Sequence, residues 1–70
     1  MDRISVIDER MEQLKVMANN CCRIIGMYSR MNHPNRENLA SVYETSLQNL
    51  TREYKELETE REELMYKMKS

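Results

Sequence analysis

The sequence contains no tryptophan and no phenylalanine, only two cysteines, and a single glycine. A chain of 70 residues buries only about 60% of its unfolded surface when it folds alone, and without large aromatic side chains it cannot fill a thick core. Two cysteines are too few for a disulfide scaffold. Because oligomerisation is the remaining means of stabilising so small a chain, we expect a homodimer or a larger assembly.

The residue patterns of enzymes and metalloproteins are also missing. His33 is the only histidine, it lies near the opposite end of the predicted helices from the acidic cluster at 53–63, and no Glu-x-x-His motif is present. The lone Gly26 excludes a glycine-rich phosphate loop. The slender helical hairpin that the apolar spacing described below predicts has no concave, water-poor pocket that would shift the pKa of a carboxylate. We therefore expect no catalytic residue, no metal and no cofactor, and we do not expect an enzyme.

No apolar run approaches the ~20 residues that a membrane span requires, and the start of the chain lacks the apolar core of a secretory signal. Cys21 and Cys22 are adjacent, so on a helix their side chains point about 100° apart and cannot bridge each other. Two free thiols are typical of a reducing compartment. We expect a cytoplasmic protein that makes no contact with a membrane.

What the sequence does have is a regular apolar rhythm, with alternating spacings of three and four residues in both halves of the chain. Such a repeat, averaging 3.5 residues over about four heptads, is the signature of coiled-coil packing. It predicts one all-α domain over 1–70, an antiparallel two-helix hairpin of coiled-coil type that dimerises into a four-helix bundle. The predicted elements are helix 1 at about 2–31, a turn at 32–35 and helix 2 at about 35–69.

Polar residues mark the predicted helix ends. Asp2 is the expected N-cap of helix 1, since its carboxylate can accept from free backbone N–H groups. Asn32 or His33 would cap helix 2, with Pro34 in its first turn. Gly26 inside helix 1 indicates either a close approach of another helix or a slight bend of helix 1.

So short a turn places residues whose numbers add to about 68 opposite each other. The predicted core and dimer positions are Ile7, Met11, Leu14, Cys21, Ile25, Tyr43, Leu47, Leu50, Tyr54, Leu57 and Leu64. On the flanks we expect Arg10 near Glu58 and Lys15 near Glu53. Arg61 interrupts the apolar pattern, with Asp8 or Glu58 within its reach.

A second apolar row, formed by Met17, Ile24 and Met31, makes the stripe of helix 1 wider than one neighbouring helix can cover. This row predicts either self-association or docking of a different protein near the turn. The candidate partner-binding residues are Met17, Arg23, Ile24, Met27, Arg30, Met31 and Arg36. Methionine suits both interpretations, because it packs adaptably in cores and on binding surfaces.

Charge is nearly balanced, with 11 basic and 12 acidic residues, so net charge gives no reason to expect a polyanion partner. The hairpin shape resembles the Rop family of plasmid copy-control proteins, which dimerise and bind paired RNA loops. That resemblance implies a nucleic-acid-binding dimer, but the basic residues here gather at the turn instead of forming a stripe.

Two other families of helical hairpins are similar to this chain in length. Small sporulation aspartyl-phosphate phosphatases carry a Ser-Gln-x-Leu-Asp motif, to which the segment Leu47-Gln48-Asn49-Leu50-Thr51 is similar. The serine and the acidic residue are missing, so that activity is not expected. Hairpin co-chaperones of type III secretion are similar in length and helix content, which implies an adaptor of a larger assembly.

We expect a non-catalytic protein–protein interaction module, a small regulator or inhibitor that binds and occludes a larger host protein. Either the turn end or the acidic surface of helix 2 would cover the functional site of that protein. The size of the chain favours a viral, phage or mobile-element origin. The alternatives are a Rop-like nucleic-acid-binding dimer and a co-chaperone or adaptor.

Overall fold

The computed structural model describes residues 2–32 and 34–69, which form two antiparallel helices. Helix α1 spans Arg3–Arg30 and helix α2 spans Arg36–Lys69. They pack side by side into a rod with extents of 56 × 16 × 14 Å. The predicted fold class, an all-α helical hairpin, is confirmed, whereas dimerisation stays a prediction.

The N-terminus of α1 is capped as its sequence predicts. The Ser5 backbone N–H donates to Asp2 Oδ1 at 2.7 Å, and this hydrogen bond lowers the pKa of the Asp2 carboxyl below its ordinary value. At the other end, Met31 adopts an extended conformation, and its N–H donates to the Tyr28 carbonyl at 3.2 Å. The helix therefore stops at Arg30.

The start of α2 differs from the prediction. The helix begins at Arg36, and the Leu39 N–H donates to the Asn35 carbonyl at 3.0 Å. Asn35 thus occupies the N-cap position, so the predicted cap at Asn32 is wrong, and Pro34 lies in the turn before the helix. His33, the other predicted cap, lies outside the described residues.

The fully buried core is small. Among the described residues, Ile7 and Leu14 are the two hydrophobic side chains that are completely enclosed, each 1% exposed. The rest of the predicted core list is half-buried: Met11, Cys21, Ile25, Tyr43, Leu47, Leu50, Tyr54, Leu57 and Leu64. Near the turn the rings of Tyr28 and Tyr43 pack with their centroids 5.9 Å apart. Two helices alone therefore leave most of the apolar stripe partly accessible to water.

Three arginine–carboxylate pairs show the register on the flanks. Arg10 Nε donates to Glu53 Oε2 at 2.6 Å, so the predicted pairing of Arg10 with Glu58 is wrong. Arg10 and Glu53 each precede a core residue and share one flank, whereas Glu58 follows a core residue and lies on the other. Lys15 also lies on that other flank, with its Nζ 6.0 Å from the Tyr54 ring centroid, and not beside Glu53.

Candidate functional site

One flank of the hairpin carries charged pairs in the half near the termini and apolar side chains in the half near the turn. In the half that holds the termini, Arg3 and Arg10 each make a two-point pair with Glu60 and Glu53, with shortest N···O distances of 2.6 Å. The hydrogen bonds from these guanidinium groups hold the pKa of both glutamates below their ordinary value. In this half of the flank, charged pairs therefore join α1 to α2.

The same row of positions becomes apolar toward the turn. Seven and fourteen residues after Arg10 come Met17 and Ile24, which lie on the same side of α1 because seven residues make nearly two full turns. On α2, Leu39 lies fourteen residues before Glu53 and so shares its side. We call Met17, Ile24, Met31 and Leu39 the apolar flank. Met17 is 43% exposed and Met31 is 40% exposed.

A shallow groove crosses the outer face of α1 beside this flank. Its lining residues are Cys22, Arg23, Gly26, Met27, Arg30 and Met31, and we call it the turn-end groove. A Cβ atom added to Gly26 would meet nothing within 4 Å. The expectation that Gly26 permits a close helix approach is therefore wrong within the hairpin, since the glycine opens a notch in the surface instead.

Arg23 and Arg36 near the turn bond to neutral oxygen atoms, whereas the arginines near the termini pair with carboxylates. Arg23 donates to Asn20 Oδ1 at 3.1 Å, and Arg36 donates to the Met31 carbonyl at 3.4 Å. Within the described part of the chain, no salt bridge joins Arg23, Arg30 or Arg36 to a carboxylate, whereas Arg3, Arg10 and Arg61 each have one. The turn end therefore presents cationic groups without anionic partners.

The structure divides the candidate partner-binding residues between two neighbouring surfaces. Met17 and Ile24 belong to the apolar flank, Arg23, Met27 and Arg30 line the turn-end groove, and Met31 belongs to both. Arg36 lies at the start of α2, beside the end of α1. At this site the wrong prediction from the sequence concerns Gly26, because a helical glycine signals missing volume without showing whether anything fills it.

Arg61 shows how a charged residue fits the apolar stripe. Its Nε donates to Asp8 Oδ1 at 2.6 Å, one of the two contacts its position suggested, and its Nη1 lies 3.0 Å from the Met65 sulfur. The guanidinium thus pairs with a carboxylate at the edge of the stripe, and the Arg61 side chain is half-buried. This arrangement ties the two helices together near the termini.

Two further properties bear on function. Over residues 2–32 and 34–69 no group of three or more His, Cys, Asp or Glu side chains is arranged to hold a metal ion. Neither helix, over those residues, combines the length and apolar content needed to cross a membrane.

Comparisons of the chain with protein-family models, with curated proteins and with solved structures find no match.

Proposed function

We propose that the chain is a non-catalytic protein-interaction module, which pairs with a second copy along the apolar flank and presents its turn end to a larger protein. Its action is occlusion: the bound hairpin covers the functional site of the larger protein. The proposal includes a cytoplasmic location, which two adjacent free cysteines support because reducing compartments keep thiols unpaired.

The observation that carries the proposal is the contrast between the small core and the apolar flank. Ile7 and Leu14 are enclosed, yet Met17 remains 43% exposed at a position that continues a row of contacts between the helices. Burying apolar surface contributes about 25 cal/mol per Å². A partner along the flank would therefore add the stabilisation that a two-helix rod cannot supply alone.

The size of the rod fits a second copy as that partner. A face of 56 × 14 Å has an area of about 800 Å², which matches the ~800 Å² that each partner buries in a standard specific interface. Pairing confined to the turn half would bury roughly half of that area, in the range of weak or transient contacts. Because the apolar flank occupies the turn half alone, a stable dimer must also overlap along the half that the Arg3–Glu60 and Arg10–Glu53 pairs occupy.

The test compares two neighbouring substitutions. Met17→Glu places a charge on the apolar flank, whereas Val16→Glu places the same charge one residue away on the outer face, where Val16 is 53% exposed. Light scattering after size-exclusion chromatography should give twice 8.5 kDa for the wild type and for Val16→Glu. It should give the mass of a single chain for Met17→Glu at the same concentration.

Thermal melting supplies a second readout, because the melting temperature of a dimer rises with protein concentration. We expect that dependence in the wild type and in Val16→Glu, and its loss in Met17→Glu. A wild-type protein that stays monomeric at high micromolar concentration would contradict self-association. Equal effects of the two substitutions would show that the apolar flank is not the interface.

A further inference from the structure

The turn-end groove combines an apolar notch with two cations at a defined spacing. Arg23 and Arg30 are seven residues apart on α1, which places them on one face about 10.5 Å apart along the helix axis. Gly26 and Met27 lie midway between them, and Met27 is 51% exposed. The groove is therefore an apolar seat with a positive charge at each end.

The positive charges of this segment have no carboxylate beside them on α1 and make no salt bridge within the described residues. From Gln13 to Met31 the sequence contains Lys15, Arg23 and Arg30 but no Asp or Glu. The carboxylates that pair with Arg3, Arg10 and Arg61 lie in the half of the rod that holds the termini. A ligand that complements the groove must therefore bring its own negative charges.

We propose that the turn-end groove binds one amphipathic α-helix of a protein partner, which carries two carboxylates seven residues apart and an apolar side chain between them. The inference rests on the proposed function and names the chemistry of the larger protein. In such a helix the carboxylates reach Arg23 and Arg30, and the apolar side chain enters the notch above Gly26. Guanidinium groups suit this role because they donate two parallel hydrogen bonds to the two oxygens of a carboxylate.

The lining of the groove favours a protein helix over a nucleic acid. Single-stranded nucleic acids bind grooves in which aromatic side chains stack on the bases, and the residues that line this groove include no aromatic side chain. An apolar notch offers nothing to a phosphate, whereas it can hold a leucine or a methionine of an amphipathic helix. Charge and shape together select a carboxylate-bearing helix.

A displayed library of helical peptides of about 15 residues, randomised along one face, tests the proposal on the full-length protein. We expect enriched peptides to carry two acidic residues seven positions apart around an apolar one. Their affinity should fall about tenfold for the double variant Arg23→Gln/Arg30→Gln, since each exposed charged pair contributes modestly. Raising sodium chloride from about 50 mM to about 500 mM should weaken binding of the same peptides.

Two variants provide controls for this experiment. Gly26→Leu fills the notch and should abolish peptide binding while circular dichroism shows an intact helix content. Arg52→Gln removes an arginine on α2 that bonds to Asn49 outside the groove, and it should leave binding unchanged. If Gly26→Leu loses helix content, Met27→Ser tests the same apolar seat.

Three results would overturn the proposal: no enriched peptide, enrichment of peptides without acidic residues, or equal binding to the Arg23→Gln/Arg30→Gln variant. Tighter binding of a single-stranded RNA oligonucleotide than of any selected peptide would assign the groove to nucleic acid instead. The mass of the Met17→Glu variant is measured independently. A failure of self-association can therefore be told apart from a failure of the groove.

Discussion

Replacing Gly26 by alanine should stabilise the hairpin. Glycine inside a helix is about 1 kcal/mol less favourable than alanine, because its backbone loses more freedom on folding. An added methyl group usually risks a clash, but a Cβ at this position meets nothing within 4 Å. The full propensity gain of about 1 kcal/mol is therefore expected, since no packing cost opposes it.

Urea unfolding followed by circular dichroism measures this change directly. For a chain of this size a gain of 1 kcal/mol corresponds to a rise of about 4–8 °C in the melting temperature. The slope of the urea transition should not change, because the substitution exposes no additional surface on unfolding. Measurements at equal protein concentration remove the contribution of self-association.

A loss of stability in Gly26→Ala would refute this reasoning, because it would mean that another surface packs against the glycine in the folded protein. The additional surface would have to come from a second copy, and the turn-end groove would then belong to the dimer interface. Asn19→Ala, on an exposed part of the same helix, supplies the control for helix propensity alone. A gain in both variants supports an open groove.

Two further predictions concern the core and the charged half of the rod. Leu14→Ala should cost about 2–5 kcal/mol, enough to threaten folding, whereas Ile7→Val should cost about 0.5–1.5 kcal/mol and leave a measurable urea transition. Hydrogen bonds from Arg10 and Arg3 lower the pKa of Glu53 and of Glu60 in the folded state. The stability that these ionised glutamates give the folded protein is therefore fully present above their ordinary pKa of 4.5. It is lost as the pH falls through the lower pKa of the folded state. The melting temperature should therefore drop on acidification below about pH 4.5, and less so in Glu53→Gln/Glu60→Gln; an identical drop in that double variant would contradict the assignment.

Much of the fold follows from the spacing of apolar residues, because the period of an α-helix is a property of the backbone and not of its surroundings. The alternation of threes and fours predicted two helices, and Ile7 and Leu14 fell on the stripe that the structure buries. Asp2 was predictable as a cap for a similar reason, since capping depends on residues within one turn.

The sequence does not predict the contacts between the helices, the exact start of α2, or whether the space beside Gly26 is filled. The partner of Arg10 is set by which flank each helix turns toward the other, and opposing residue numbers alone do not give that rotation. The first turn of α2 begins after Pro34, although proline is well suited to a first helical turn. Gly26 is ambiguous in the sequence, because missing volume can serve a close contact or an empty notch.

The two surfaces at the turn end can act together, because they face different directions. Arg23 and Ile24 are adjacent on α1, so their side chains diverge by about 100°. A second copy along the apolar flank therefore covers Met31 at the edge of the groove but leaves Arg23 and the notch above Gly26 uncovered, and a dimer carries two grooves. Two linked sites bind a partner that displays two such helices far more tightly than one site does, by a factor of about 10² to 10⁴. Self-association would then strengthen occlusion without adding a contact to either groove.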